Sequence, residues 1–154
     1  MQLLCVRHGE ASWQAERDEL RPLTERGAHY VSAAAHALST KLPTFDLAIV
    51  SPYLRAQQTF KLISEPWDVR KSISDALFTP DVPSAQAIER LAELTQDLDD
   101  NASVLLVSHN PLISQLVGEL CEGVGSYEPF DTGTMALLDL SYPATGLGQL
   151  LWKH

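Results

Sequence analysis

Positive charge is scarce in this 154-residue chain. Eleven lysines and arginines stand against 20 aspartates and glutamates, a formal net charge of −9. That balance argues against nucleic acid and anionic membrane as partners, since both bind through basic surface. Long hydrophobic runs are missing too; none approaches the roughly 20 apolar residues of a membrane span. The amino terminus has no basic start or cleavage site of a signal peptide, because Leu3 opens a strand at once. These absences predict a cytoplasmic protein. Cysteine is limited to Cys5 and Cys121, which are far apart and outside any CxxC. They make neither a disulfide framework nor a zinc site, and both read as small core hydrophobes. Trp13, Trp67 and Trp152 are too scattered to form a stacking platform for bases. There is no Walker A lysine motif, no HExxH and no run of acidic metal ligands.

What is present is an alternation of strand-like and helix-like apolar patterns along the whole chain, the signal of an α/β domain. Length predicts one domain over residues 1–154 with a sizeable core. Three short apolar runs, Leu3–Val6, Leu47–Val50 and Val104–Val107, read as buried strands. Each ends in polar residues: Arg7-His8-Gly9, Ser51-Pro52-Tyr53-Leu54-Arg55 and Ser108-His109-Asn110-Pro111. If the strands are parallel, Arg7, His8, Arg55 and His109 converge at the carboxyl edge of one sheet, where open α/β folds bind ligands.

Between the runs the pattern predicts further elements. Residues 9–23 read as a loop, and Thr24 as the N-cap of an alanine-rich helix that Leu42-Pro43 stops. A helix is expected from about Tyr53 to Ser64, and Val69–Ser74 is a weaker strand. Ser84 is the expected cap of a helix carrying Ala87, Leu91, Leu94 and Leu98, and Asn110 that of a helix running to about Cys121. Thr134–Ser141 and Gln149–Lys153 complete the strands.

Arginine pairs bidentately with phosphate, and two arginines can neutralise a dianion. Five arginines lie in the first 55 residues, a local concentration of positive charge in an acidic chain. A neutral histidine oriented through its other nitrogen is a nucleophile toward phosphorus. A second histidine, if protonated, would add charge and a donor. The chemistry implied is phosphoryl transfer to His8 followed by hydrolysis, with no metal or cofactor required.

The same residues carry a resemblance. Arg7-His8-Gly9-Glu10, Leu23-Thr24-x-x-Gly27, Ser51-Pro52-x-x-Arg55-Ala56-x-Gln58-Thr59 and Ser108-His109 resemble, in order and spacing, the motifs of the histidine phosphatase superfamily. The resemblance implies a phosphoglycerate mutase-like fold: a three-layer sandwich of a mostly parallel six-stranded sheet with helices on both faces. It makes His8 the nucleophile and Arg7, Arg55 and His109 the phosphate pocket. Arg21, in the run Arg21-Pro22-Leu23-Thr24, would line that pocket. Within the superfamily the chain is most similar to its phosphohistidine phosphatases. The substrate implied is a phosphohistidine protein, such as the phosphotransfer domain of a sensor kinase, and the alternative is a small-molecule phosphomonoesterase.

The chain departs from the mutase pattern at one place. Residues 75–83 contain Asp75 and Asp81 but no counterpart of the glutamate that protonates an alkoxide leaving group there. A general acid contributes about 10²- to 10⁴-fold. Its loss would hurt an alkyl phosphatase more than a phosphohistidine phosphatase, because protonatable imidazole leaves more readily. Glu10 remains as a loop acid that could touch the site.

Overall fold

The computed structural model describes residues 1–40 and 44–154, so the helix stop expected at Leu42-Pro43 lies outside the described residues. The elements run β1 (Gln2–Arg7), α1 (Glu25–Leu38), β2 (Thr44–Phe45), β3 (Leu47–Val50), α2 (Leu54–Ile63), β4 (Asp68–Val69), β5 (Ser72–Ser74), α3 (Ser84–Thr95), β6 (Ser103–Ser108), α4 (Leu112–Glu122), β7 (Met135–Leu140) and β8 (Gly148–Lys153). Six strands form one sheet in the order β5-β3-β6-β1-β7-β8. β5, β3, β6 and β1 are parallel, and β7 is antiparallel to both β1 and β8. The fold is therefore α/β with a mostly parallel six-stranded sheet, as expected.

Alternation along β1 explains the layers. Successive side chains of a strand point to opposite faces. Leu3 and Cys5 pack with Ala87 and Leu91 of α3 and Leu112, Leu116 and Leu120 of α4. Leu4 and Val6 pack with Val31, Ala34, Ala35 and Leu38 of α1 and Ala56 and Ile63 of α2. Helices thus cover both faces. Leu3, Leu4, Cys5 and Val6 are all fully buried, and burying a side chain of this size contributes about 1.5–3 kcal/mol. Such two-sided burial is why the central strands read as continuous apolar runs rather than alternating ones.

Thr24 caps α1 as expected, its side chain accepting from Gly27 N. Two other caps differ from the sequence reading. Pro83, not Ser84, precedes α3, and it has no side-chain cap bond. Asn110 does not cap α4: its Nδ2 donates to Phe130 O and its Oδ1 accepts from Ser114 Oγ. The Val69–Ser74 strand is also two pieces. Asp68–Val69 pairs with Thr44–Phe45 in a separate two-stranded sheet, and Ser72–Ser74 edges the main sheet. No helix among the described residues is long and apolar enough to cross a membrane.

Candidate active site

Parallel pairing aligns the ends of the strands. Arg7 lies opposite Ser108 in the β1–β6 register, and Val50 opposite Val107 in the β3–β6 register. Arg7, His8, Ser51 and His109 therefore emerge at one edge, and α2 starts there with Arg55 in its first turn. The expected convergence of Arg7, His8, Arg55 and His109 holds.

The motif residues between them act as braces. Gly9 N donates to Thr59 Oγ1 (3.1 Å), and that hydroxyl donates to Arg55 O (2.7 Å). Leu23 N donates to Gln58 Oε1 (2.7 Å), and Gln57 Nε2 donates to Ser51 O (2.7 Å). Loop, strand end and helix are thus locked together around His8. Gly27 permits the closest approach: a Cβ there would lie 2.3 Å from Glu10 O. Gly133 N donates to both Arg7 O and His8 O, pinning the end of β1 from the other side.

His8 is 7% exposed. Its Nδ1 lies 2.7 Å from Gly9 O, and its Nε2 lies 3.1 Å from Arg55 Nε. A carbonyl only accepts and an arginine only donates. Nδ1 must therefore carry the proton, and Nε2 the lone pair. Burial, together with the charges of Arg55, Arg7 and Arg21, pushes the His8 pKa down to about 4, against the opposing hydrogen bond to Gly9. The ring is neutral near pH 7, and its lone pair is on Nε2, where it accepts from Arg55 Nε.

His109 packs against His8 with ring centroids 4.9 Å apart. Its Nε2 lies 2.6 Å from Ser51 Oγ, and the Tyr53 ring packs against it in a T-shaped arrangement with centroids 5.1 Å apart. Burial, then His8, Arg55 and Arg7, drives its pKa down to about 2. The second histidine is thus neutral, not the imidazolium that the sequence reading allowed for. The only acceptor that the described residues offer the Ser51 hydroxyl proton is His109 Nε2. That places the His109 proton on Nδ1, which is buried without a protein partner. Arg7 Nε is buried without one as well, while its Nη1 donates to Phe130 O at 2.7 Å. Two orphaned donors beside an unprotonated ring nitrogen suit a tetrahedral anion delivered to Nε2 of His8.

The other predicted residues fall out as follows. Arg21 lies close enough for its charge to lower the His8 pKa. Its guanidinium, however, is spent on the loop: Nε on Ser12 O, Nη1 on Asp18 Oδ1, and its plane over Trp13 at 3.6 Å. Glu10 is drawn to the start of α1, where it accepts from Thr24 Oγ1 and Arg26. Asp75 caps Leu77 N with one oxygen and takes Arg90 Nε with the other. Asp81 is exposed. Among the described residues no group of three His, Cys, Asp or Glu side chains could hold a metal ion.

Asp18 was not foreseen from the sequence. It accepts from Arg55 twice, Nη1 to its backbone O (2.6 Å) and Nη2 to its Oδ2 (3.0 Å). Nothing in a polar loop marks one aspartate for this; only the tertiary placement of the short 3-10 helix Asp18–Leu20 against α2 does so.

Comparison with known proteins shows what the chain as a whole is similar to. The sequence model of the histidine phosphatase superfamily (branch 1) matches residues 3–78. Phosphohistidine phosphatase SixA of Escherichia coli K12 is 33% identical over 155 residues, spanning 99% of this chain and 92% of that protein. A SixA homolog of Haemophilus influenzae is 32% identical over 158 residues, spanning 99% of this chain and 88% of that one. The solved structure of the protein histidine phosphatase SixA complexed with tungstate superposes with a TM-score of 0.88 at 32% identity, covering 99% of this chain and 96% of that chain.

Proposed function

This chain belongs to the histidine phosphatase superfamily, and from that premise we propose that it is a phosphohistidine phosphatase working through a covalent phospho-His8 intermediate. The observation that carries the reading is the His8 ring, with Nδ1 tied to Gly9 O and the lone pair of Nε2 turned to Arg55. Similarity to SixA proteins over nearly the whole chain supports the substrate class.

In the first step the Nε2 lone pair of His8 forms a bond to phosphorus. The phosphorus–nitrogen bond of the substrate breaks with its electron pair going to that nitrogen, and the substrate imidazole, which enters already protonated on its other nitrogen, leaves neutral. His8 keeps its Nδ1 proton and becomes a phosphoimidazolium, whose charge the Gly9 carbonyl stabilises. Arg7 and Arg55 hold the transferring oxygens, and the Nδ1–H of His109 donates to a third. Water then attacks phosphorus, releasing inorganic phosphate and returning the electron pair to Nε2. Burial and the nearby arginines keep His8 unprotonated, which makes the nucleophile available at neutral pH.

Glu10 and Asp75 are held by partners of their own, which supports a leaving group that needs no carboxylic acid. The natural substrate is then a phosphohistidine protein in the cytoplasm, such as a phosphotransfer domain. The test is kcat/KM for a phosphohistidine protein against a panel of alkyl and sugar phosphates. A preference for phosphohistidine is expected. Efficient alkyl phosphate hydrolysis that collapses in Glu10→Gln, Asp75→Asn or Asp81→Asn would overturn the assignment in favour of a small-molecule phosphomonoesterase.

A further inference from the structure

We infer that Asp18 is a positioning residue for phosphoryl transfer: it clamps the outer edge of the Arg55 guanidinium and so keeps the inner edge turned to the nucleophile. The inference rests on the reading of His8 and Arg55 as the phosphoryl site. A guanidinium can bind side-on through Nε and one Nη, or end-on through both Nη atoms. Asp18 occupies the end-on edge with two different oxygens, its carbonyl on Nη1 at 2.6 Å and its Oδ2 on Nη2 at 3.0 Å. One oxygen belongs to the backbone and one to the side chain, so the plane of the guanidinium is fixed as well as its direction. The Nε–H points at His8 Nε2 over 3.1 Å. The second Nη2–H lies on that same inner edge, which is where a phosphoryl group on Nε2 would sit. Tyr53 flanks the guanidinium, its ring centroid 5.0 Å from Cζ.

Asp18 is itself anchored. Its Oδ1 accepts from Arg21 Nη1 at 2.9 Å, and Arg21 Nε is tied to Ser12 O at 2.7 Å. Burial pushes the Asp18 carboxyl up, but the hydrogen bonds from Arg21 and Arg55 win and hold it below the usual carboxylate range. It is therefore a fixed anion at neutral pH and not a proton donor. Its place in the chemistry is to order Arg55 before substrate arrives, so that this long side chain need not be immobilised during the reaction. The side chain of Asp18 is 52% exposed while that of Arg55 is 4% exposed. Substitution at Asp18 therefore opens no core cavity.

The test is a double-mutant cycle of Asp18→Ala with Arg55→Lys, read as single-turnover phosphorylation of His8 by a small phosphorylated imidazole. Orthophosphate binding by calorimetry in the same four proteins is the second readout. Asp18→Ala is expected to lower the transfer rate by about 10-fold or more, since displacement of a reacting group by an ångström costs up to about 10². The concentration of donor giving half the maximal rate should change much less than the rate. Asp18→Asn, which keeps an acceptor oxygen, should fall between the two. In the Arg55→Lys background, where no fork remains to be clamped, Asp18→Ala should cost no more than about twofold. An equal loss in both backgrounds would overturn the inference, as would coupling to Arg21→Gln in place of Arg55. Orthophosphate affinity should likewise fall much less than the transfer rate in Asp18→Ala, and a loss of affinity as large as the rate loss would also overturn the clamp, because it would make Asp18 a determinant of ground-state binding. Phosphoimidazole and orthophosphate test the clamp even if the natural substrate is not phosphohistidine. Slow turnover of phosphohistidine protein with the coupling intact would therefore count against the proposed function alone.

Discussion

Lowering the pH from 7 to 5 should destabilise the fold by about 4 kcal/mol through two residues, His8 and His109. Both are neutral in the folded state, with pKa values of about 4 and about 2. In the unfolded chain each returns to about 6.5. The sign follows from proton binding. Below pH 6.5 the unfolded state takes up two protons that the folded state refuses, so stability is full above about 6.5 and falls as pH drops toward 4. At pH 5 each group costs about 2 kcal/mol relative to high pH, and at pH 7 each costs only a few tenths. The carboxyls of Glu10 and Asp18 are held below their ordinary range, so their contribution is lost only as pH falls through that range, and they add little in this window. The assay is urea unfolding at pH 7, 6 and 5 on the wild type and on His8→Asn, His109→Asn and the double variant. Each single variant should lose about half of the pH-dependent drop, and the double variant should be nearly flat. A wild-type stability unchanged between pH 7 and 5, or a full drop persisting in the double variant, would refute the argument that burial and arginine charge keep these rings neutral.

Other outcomes follow from the same geometry. Arg7→Ala and Arg55→Ala should each lower kcat by about 10²- to 10³-fold, the cost of removing a preorganised donor, and lysine should restore little because the fork is lost. Gly27→Ala should destabilise by about 1–3 kcal/mol in thermal unfolding, since the new Cβ would press on Glu10 O at 2.3 Å. Asp75→Asn should leave phosphohistidine turnover within the roughly 10²-fold floor of general-acid loss, and a larger loss would assign Asp75 to proton transfer.

The parts of this fold legible in the sequence are those set by local pattern. Leu3–Val6 and Val104–Val107 are buried on both sides, so their runs are unbroken and their polar ends mark the carboxyl edge. With the Leu47–Val50 run and parallel pairing, Arg7, His8, Arg55 and His109 could be placed together from that pattern. The illegible parts depend on distant partners. Ser72–Ser74 is a short edge strand with exposed serines, so it has no apolar run, and its alternation spans only three residues. Asn110 has the look of a cap, but its amide is claimed by Phe130 O from another loop. Asp75 resembles a free acid until Arg90, fifteen residues on, takes its carboxylate. Asp18 sits in a polar loop with Glu16 and Glu19, and the sequence offers no ground for choosing among them. Its role comes only from the fold of residues 9–23 against the start of α2.

The central claim is that phosphate passes through Nε2 of His8. Rapid quenching of the enzyme during turnover of phosphohistidine protein, followed by mapping of the modified residue and ³¹P NMR of the isolated peptide, tests it most directly. The account predicts an acid-labile, base-stable phosphoramidate on Nε2 of His8 that is absent from His8→Ala. Phosphate on Nδ1, on His109 or on any other residue, or sustained turnover by His8→Ala, would contradict it.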